Sequence, residues 1–368
     1  MKKYNLLVLI IGALIYFPTM LFAGNEQRIG QSGATELQVN PWTLSSGLAG
    51  SNIASVRGVE AMYQNIAGAA FTNSTELSFT HTRWLVGTSI GINNFGLTHK
   101  MGESGVLTMG VTSFSSGDIM RTTVANPDGG NGTFSIAYSV VSAGYSKEFS
   151  NSIYGGVNFK LISEGISDLQ SSGLAVDAGI IYKTGMGKNQ LGKKNRDNFR
   201  FGITLKNVGP TMMFTGDGLS FRTVNAAGVP MTLEYRSQDF EMPTQLSMGI
   251  SYAIPIKPQV DTVANKITTD HNIEISTAYI SNSFAYDQFS FGVEYSFKKL
   301  FQLRAGYLYE KGIMDAIART IAYTGPSLGA SVMVPVNKEK GSFMSIDYAY
   351  RTTANFGGIH TIGVRIIL

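Results

Sequence analysis

The stretch IHTIGVRIIL, residues 359–368, alternates in character from Thr361 to Ile366 and is apolar to its last side chain. His360, Ile362, Val364, Ile366 and Leu368 fall on one side of an extended chain, with Thr361, Gly363 and Arg365 on the other. The same period of two recurs upstream. In FSFGVEYSF (289–297), Phe289, Phe291, Val293, Tyr295 and Phe297 alternate with Ser290, Gly292, Glu294 and Ser296. IYGGVNFKL (153–161), FQLRAGYLYE (301–310) and SFMSIDYAYR (342–351) repeat the pattern, placing Lys160, Arg304, Asp347 and Arg351 on the polar side. A secreted β-sandwich would also alternate. These segments, however, run to roughly ten residues or more, the length a tilted strand needs to cross a bilayer. No helical stretch interrupts them to cap a core. The expected fold is all-β: a transmembrane antiparallel β-barrel of about fourteen strands.

Composition agrees. Gly 42, Phe 21 and Tyr 17 are high and charged residues make up only 15%, the enrichment expected of many short strands. The opening MKKYNLLVLIIGALIYFPTMLFAG has Lys2 and Lys3, an apolar run from Leu6 to Phe17 and a small residue, Ala23, at a cleavage point. It is expected to be a secretory signal over 1–23. There is no cysteine, so disulfides and thiolate metal sites are excluded. The formal net charge is +4, two units of it in that leader, which gives no case for nucleic acid as a partner.

Strands are expected to begin near Glu76, Gly87, Val106, Phe134, Ile153, Leu174, Phe199, Pro243, Asn272, Phe289, Phe301, Ser327, Ser342 and His360, giving a barrel over 76–368. An even number puts both termini on one side, the periplasm in an outer-membrane barrel of the Gram-negative cell. EFSNS (148–152) and KKL (298–300) are then tight periplasmic turns, while 115–132 and 209–241 are long external loops. Segments 184–198 and 256–271 are long although periplasmic, and lysines gather on that side (Lys188, Lys193, Lys194, Lys257, Lys266, Lys298, Lys299, Lys338, Lys340). The last strand must close against the first, because an open sheet edge is intolerable in lipid. Arg365 must therefore point inward and Ile366 outward. Lys160, Asp177, Glu274, Glu294, Arg304, Asp347, Arg351 and Arg365 are expected in the lumen, as salt bridges or as a polar conduit.

Residues 24–75 do not alternate, and GLAGSNIASVRGVEAMYQNIAGAAF is rich in small residues, as befits short helices inside a lumen. MYQNIAGAAF (62–71) carries Tyr63, Asn65, Ala67 and Gly68, with Ile66 where a proline is usual. With ELSFTHTRWL, GDIMRTT, GLAVDAGIIYKTG, RFGITLKNVGP, MPTQLSMGISY and FGVEYSF following in order, the chain resembles the PorV/PorQ-type outer-membrane barrels of Bacteroidota, relatives of the FadL fatty-acid transporters. The resemblance implies an N-terminal hatch over 24–75 and a non-enzymatic accessory role in protein export or outer-membrane assembly. In type IX secretion such a barrel partners a larger translocon barrel and engages secreted cargo. The alternative it implies is a FadL-like channel for hydrophobic small molecules, against which stands a charged lumen with no obvious greasy groove. Thr361, Gly363, Ile366 and Leu368 also resemble the C-terminal signal read by the outer-membrane assembly machinery, with Leu368 where an aromatic residue is usual.

No enzymatic constellation emerges, and no cofactor is expected. GKNQLGKK (187–194) nearly spells a phosphate loop, but Lys194 replaces the Ser/Thr that would hold magnesium. His81, His99, His271 and His360 show no metal spacing. His81 and Ser78, three apart on a strand, face opposite ways and form no dyad. Candidate partner-binding loops are PTMMFTGDGLSF, exposing Met212, Met213 and Phe214, and GIMDAIARTIAY, with Ile313, Ile317 and Ile321 at helical spacing; the alternative is that some of these tips fold back over the barrel mouth. Outer-membrane lipid or lipopolysaccharide completes the expected partners.

Overall fold

The computed structural model describes residues 26–187, 195, 197–256, 258–261, 266–298, 300–337 and 341–368. Fourteen antiparallel strands close into one barrel. They are β1 Thr75–Arg83, β2 Gly91–Met101, β3 Gly105–Ser115, β4 Ile136–Ser150, β5 Ile153–Ile166, β6 Leu169–Thr184 and β7 Phe199–Val208. The remainder are β8 Gln245–Ile256, β9 His271–Asn282, β10 Gln288–Phe297, β11 Phe301–Glu310, β12 Tyr323–Asn337, β13 Ser342–Thr353 and β14 Ile359–Ile367. Every expected strand is present, with starts displaced by at most a few residues. β14 pairs with β1, Val364 facing Phe79 and Ile362 facing His81, so no edge is left open.

Alternation sets the two faces. Phe79, Phe95, Phe159, Leu303 and Ile362 are each about half exposed or more on the outside, an apolar band that has no partner in the protein. Their neighbours Thr80, Thr82, Asn94, Thr98 and Thr108 are buried within. Apolar residues outside and polar ones inside invert the soluble pattern and match a lipid-facing barrel. No helix among the described residues is long and apolar enough to cross a membrane.

Connections divide between two rims. The rim carrying 116–135 and 209–244 (the loop side) holds two small hairpins, Ile119–Met120 with Thr133–Phe134 and Ser220–Val224 with Pro230–Glu234. The opposite rim (the turn side) holds the tight connection at 151–152 and the one joining Phe297 to Phe301. The segment expected to be a secretory signal, the phosphate-loop-like stretch from residue 188 and most of the lysines expected on the periplasmic side lie outside the described residues.

The stretch preceding β1 is a plug of short helical turns: Thr35–Gln38, Thr43–Gly47, Gly58–Glu60, Ala61–Gln64 and Ile66–Phe71. Strand hydroxyls tie it to the wall. Thr80 Oγ1 donates to Pro41 O at 3.0 Å and Ser327 Oγ to Gly47 O at 3.1 Å, while Ser51 and Ser276 hydroxyls meet at 2.7 Å.

Candidate functional site: the plugged lumen

The plug approaches the wall so closely because the wall has no side chains there. Gly96, Gly179, Gly202, Gly249, Gly292 and Gly306, each on a different strand, face inward. A Cβ on any of them would lie 2.1–2.8 Å from a plug atom. Glycine admits this contact where a larger residue would hold the backbones apart. The sequence contained the signal, since Gly292 and Gly306 share the inward phase of Glu294 and Arg304, but glycine abundance alone did not reveal a belt.

Asn65 is the plug's anchor. It is 1% exposed; its Nδ2 donates to Ile53 O at 3.1 Å, Ile180 O at 3.3 Å and Ile203 O at 3.4 Å. Its Oδ1 accepts from Ala67 N–H at 3.2 Å, capping the turn Ile66–Phe71. Ala67 and Gly68 are buried beneath it, and a Cβ on Gly68 would meet Val56 O at 2.3 Å. Ile66 is 1% exposed.

On the turn side Glu60 organises the plug, accepting from Leu44 N–H at 2.8 Å and from Ser45 N–H and Oγ at 2.9 and 2.7 Å. Burial pushes its carboxyl above the ordinary value, opposed by these hydrogen bonds and by Arg365. Glu60, Arg57, Glu274, Glu294 and Arg365 line a polar cavity of about 370 Å³.

Most luminal charges are paired. Lys160 meets Asp177 at 2.6 Å, Arg304 meets Glu294 at 2.6 Å, and Arg365 faces Asp347 at 3.6 Å. Glu274 pairs with Arg200 at 3.2 Å, a partner the sequence reading did not single out. Among the described residues, two loop-side cations of the lumen have no such partner. Arg351 lies over the Tyr323 ring at 3.6 Å, and Lys206, also unanticipated, lies over the Tyr63 ring at 4.5 Å. Lys206 is turned inward beside a β-bulge. Pairing jumps from Val176↔Val208 to Ala178↔Leu205, leaving Lys206 and Asn207 opposite Asp177. Asn207 adopts φ 60, and its N–H donates to Asp177 Oδ1 at 2.8 Å.

The loop-side lumen differs from the expectation of a charged lumen with no obvious greasy groove. Leu37, Tyr138, Val140, Ile162, Met212 and Met242 form a buried apolar cluster with Phe114 and Phe240 packed on it. It adjoins a cleft lined by Leu37, Val39, Trp42, Met62, Tyr138 and Val140. A greasy groove therefore exists. It was hidden because its members come from the plug, from β4, β5 and β6, and from a loop.

That loop corrects a second expectation. Met212 is 1% exposed: its backbone pairs with Phe240, and its side chain sits above Gly173, where a Cβ would meet Sδ at 2.5 Å. Phe214 is half-buried against Phe240, their rings 5.6 Å apart, and only Met213 of the three is exposed. Ile313 is likewise 1% exposed, whereas Ile317 is 96% exposed. Their segment forms turns and no helix, with Asp315 Oδ1 accepting from Ile317 N–H at 2.8 Å. Apolar side chains at the barrel mouth fold inward because packing against one another removes them from water.

The C-terminal residues lie as expected. Thr361, Gly363 and Arg365 face in; Ile362 and Leu368 face out, and Ile366 is half-buried on that outer side beside Leu77 and Met344. His81, His99, His271 and His360 sit near strand ends, bonded across strands to Asn93, Thr75, Tyr295 and Tyr348 at 2.7–2.8 Å. Among the described residues no group of three metal-ligating side chains forms.

No family model and no curated protein matches the chain. Solved structures do. CymD, a monoaromatic hydrocarbon channel, superposes with TM-score 0.51 at 15% identity over 89% of this chain and 96% of its own. The Pseudomonas putida toluene transporter TodX gives 0.50 at 13% identity over 89% and 97%. A Pseudomonas aeruginosa FadL homologue gives 0.48 at 10% identity over 88% and 96%. At such identities the likeness is one of fold.

Proposed function

We propose that the protein is a non-enzymatic outer-membrane channel for small hydrophobic molecules, with the N-terminal plug as its constriction and both termini periplasmic. The observation that carries this reading is the apolar loop-side lumen. Water-filled porin interiors are polar, whereas here Leu37, Val39, Trp42, Met62, Tyr138 and Val140, with Glu36 and Lys160 beside them, line a cleft that adjoins the buried apolar cluster of Met212 and Phe240. Apolar walls with a few fixed polar groups are how proteins hold small organic ligands. The channel and transporter named above share the fold, which supports the same direction. In cells whose own hydrocarbon channels are deleted, expressing the protein should raise uptake of labelled toluene. Replacing Val140 and Met62 by lysine should abolish the gain without loss of inserted barrel. Equal uptake with and without the protein would refute the proposal.

A second reading, an accessory subunit of an export or assembly complex, is favoured by the exposed apolar groups of the loop side. Met314 is 76% and Ile317 96% exposed, and Val224 and Leu233 of the 220–234 hairpin are exposed, as is Tyr235 just after it. Such patches suit protein contact. Serine at Met213, Met314 and Ile317 should then release a co-purifying larger barrel or cargo protein. Purification of the wild-type chain without any partner under mild extraction would sink it.

A further inference from the structure

The two unpartnered cations line the same space. A cavity of about 200 Å³ on the loop side is bounded by Lys206, Arg351, Tyr63, Tyr323, Trp84 and Gln38, among others. Lys206 is 5% and Arg351 8% exposed, so both are removed from bulk water. The nearby carboxylates are engaged elsewhere: Asp177 holds Lys160, and Glu310 accepts from Gln288 and Thr320. Tyr323 Oη is buried with no hydrogen-bond partner. Burial raises the Tyr63 phenol above its ordinary value, keeping it a proton donor, and Arg351 is close enough to oppose that rise. Buried cations without anions are costly, and buried polar groups ordinarily find partners. Two cations and two phenols around one cavity, with Asp177 and Glu310 engaged elsewhere, form a receptor for an anion.

We propose that this cavity binds a small aromatic carboxylate, its carboxylate between Lys206 and Arg351 and its ring against Tyr63, Tyr323 and Trp84. Size and lining select the class. A dry cavity of ~150 Å³ takes up benzene, so the volume here suits one ring with an acidic group. The cleft beside Met62 and Trp42 shares Val39 and Tyr63 with this cavity, which places the site on the apolar route. The inference rests on the channel reading and adds a charge preference to it.

The test uses the full-length protein in detergent, with binding read by calorimetry and by Trp84 fluorescence. Benzoate should bind at least about tenfold more tightly than benzamide, its neutral isostere, the loss expected for one charge-assisted hydrogen bond. Lys206→Met and Arg351→Met should each weaken benzoate about tenfold and leave benzamide unchanged. Equal binding of benzoate and benzamide overturns the proposal and needs no variant, so misfolding of a variant cannot shelter it. Displacement of benzoate by an equal concentration of inorganic phosphate also overturns it, because the site would then read charge alone. If toluene uptake persists while benzoate fails to bind, this inference falls and the channel reading stands. If benzoate binds as described while toluene uptake is absent, the site stands and the channel reading falls.

Discussion

Replacing Gly179 by alanine should loosen the plug while leaving the barrel closed. The new Cβ would lie 2.1 Å from Asn65 Oδ1 and 3.1 Å from Asn65 Cγ, distances that real contacts do not tolerate. Asn65 must therefore swing away, surrendering the bond from Ala67 N–H and those its amide gives to Ile53, Ile180 and Ile203. An amide has two protons, so three bonds are lost at most, each worth about 1 kcal/mol net. Partial relaxation brings the expected cost to about 2 kcal/mol, in the range of core overpacking. Hydrogen exchange of plug amides followed by mass spectrometry should then run roughly thirtyfold faster than in the wild type. Asn65→Ala alone should cost about the same, for the same lost bonds. The double variant is the sharper test. With Asn65 truncated, the nearest remaining atom to the alanine Cβ is Ile203 O at 3.5 Å, an ordinary contact. The double variant should match Asn65→Ala alone, an interaction energy of about −2 kcal/mol in the cycle. Additive effects, or unchanged exchange in Gly179→Ala, would refute the account of the plug as seated on a glycine belt.

Three further expectations follow from the wall and its charges. Arg365→Met leaves Asp347 buried without its cation, a loss of about 3–5 kcal/mol; heat-resistant folded barrel on a gel should fall, and Asp347→Asn in the same chain should restore much of it. Phe159→Arg, at a position 62% exposed on the outer face, should cost about 2–4 kcal/mol if that face meets lipid, and an unchanged insertion yield would contradict the lipid-facing assignment. Glu60 provides a pH signature. A carboxyl raised by burial binds its proton more readily folded than unfolded, so its stabilising contribution is full below the unfolded pKa and lost as pH rises through the folded one. Plug exchange, corrected for intrinsic rates, should accelerate across that window, and Glu60→Gln should flatten the dependence.

The strands were legible in the sequence because alternation is local. A residue's face follows from its neighbours two positions away, so Phe289 through Phe297 declared both a strand and its orientation without reference to anything else. Closure of β14 on β1 followed from the cost of an open edge in lipid. Arg365 facing inward followed from the cost of a charge among acyl chains. The interior was not local. Which cation finds which carboxylate depends on register between strands distant in the chain, so Arg200 with Glu274 could not be read, nor could the isolation of Lys206. Lys206 keeps the inward phase of Arg200, Gly202 and Thr204, but which carboxylate lies within its reach is set by register with the neighbouring strands and by the bulge at Asn207. Met212 looked like a docking residue because loops are usually solvated. Only the assembled barrel offered it an apolar lumen to enter, and the free energy of leaving water decided its place. Sequence periodicity thus determined a lipid-facing wall. The contents of that wall, an apolar groove beside two uncompensated cations, were decided by tertiary packing, since they arise where plug, strands and loop meet.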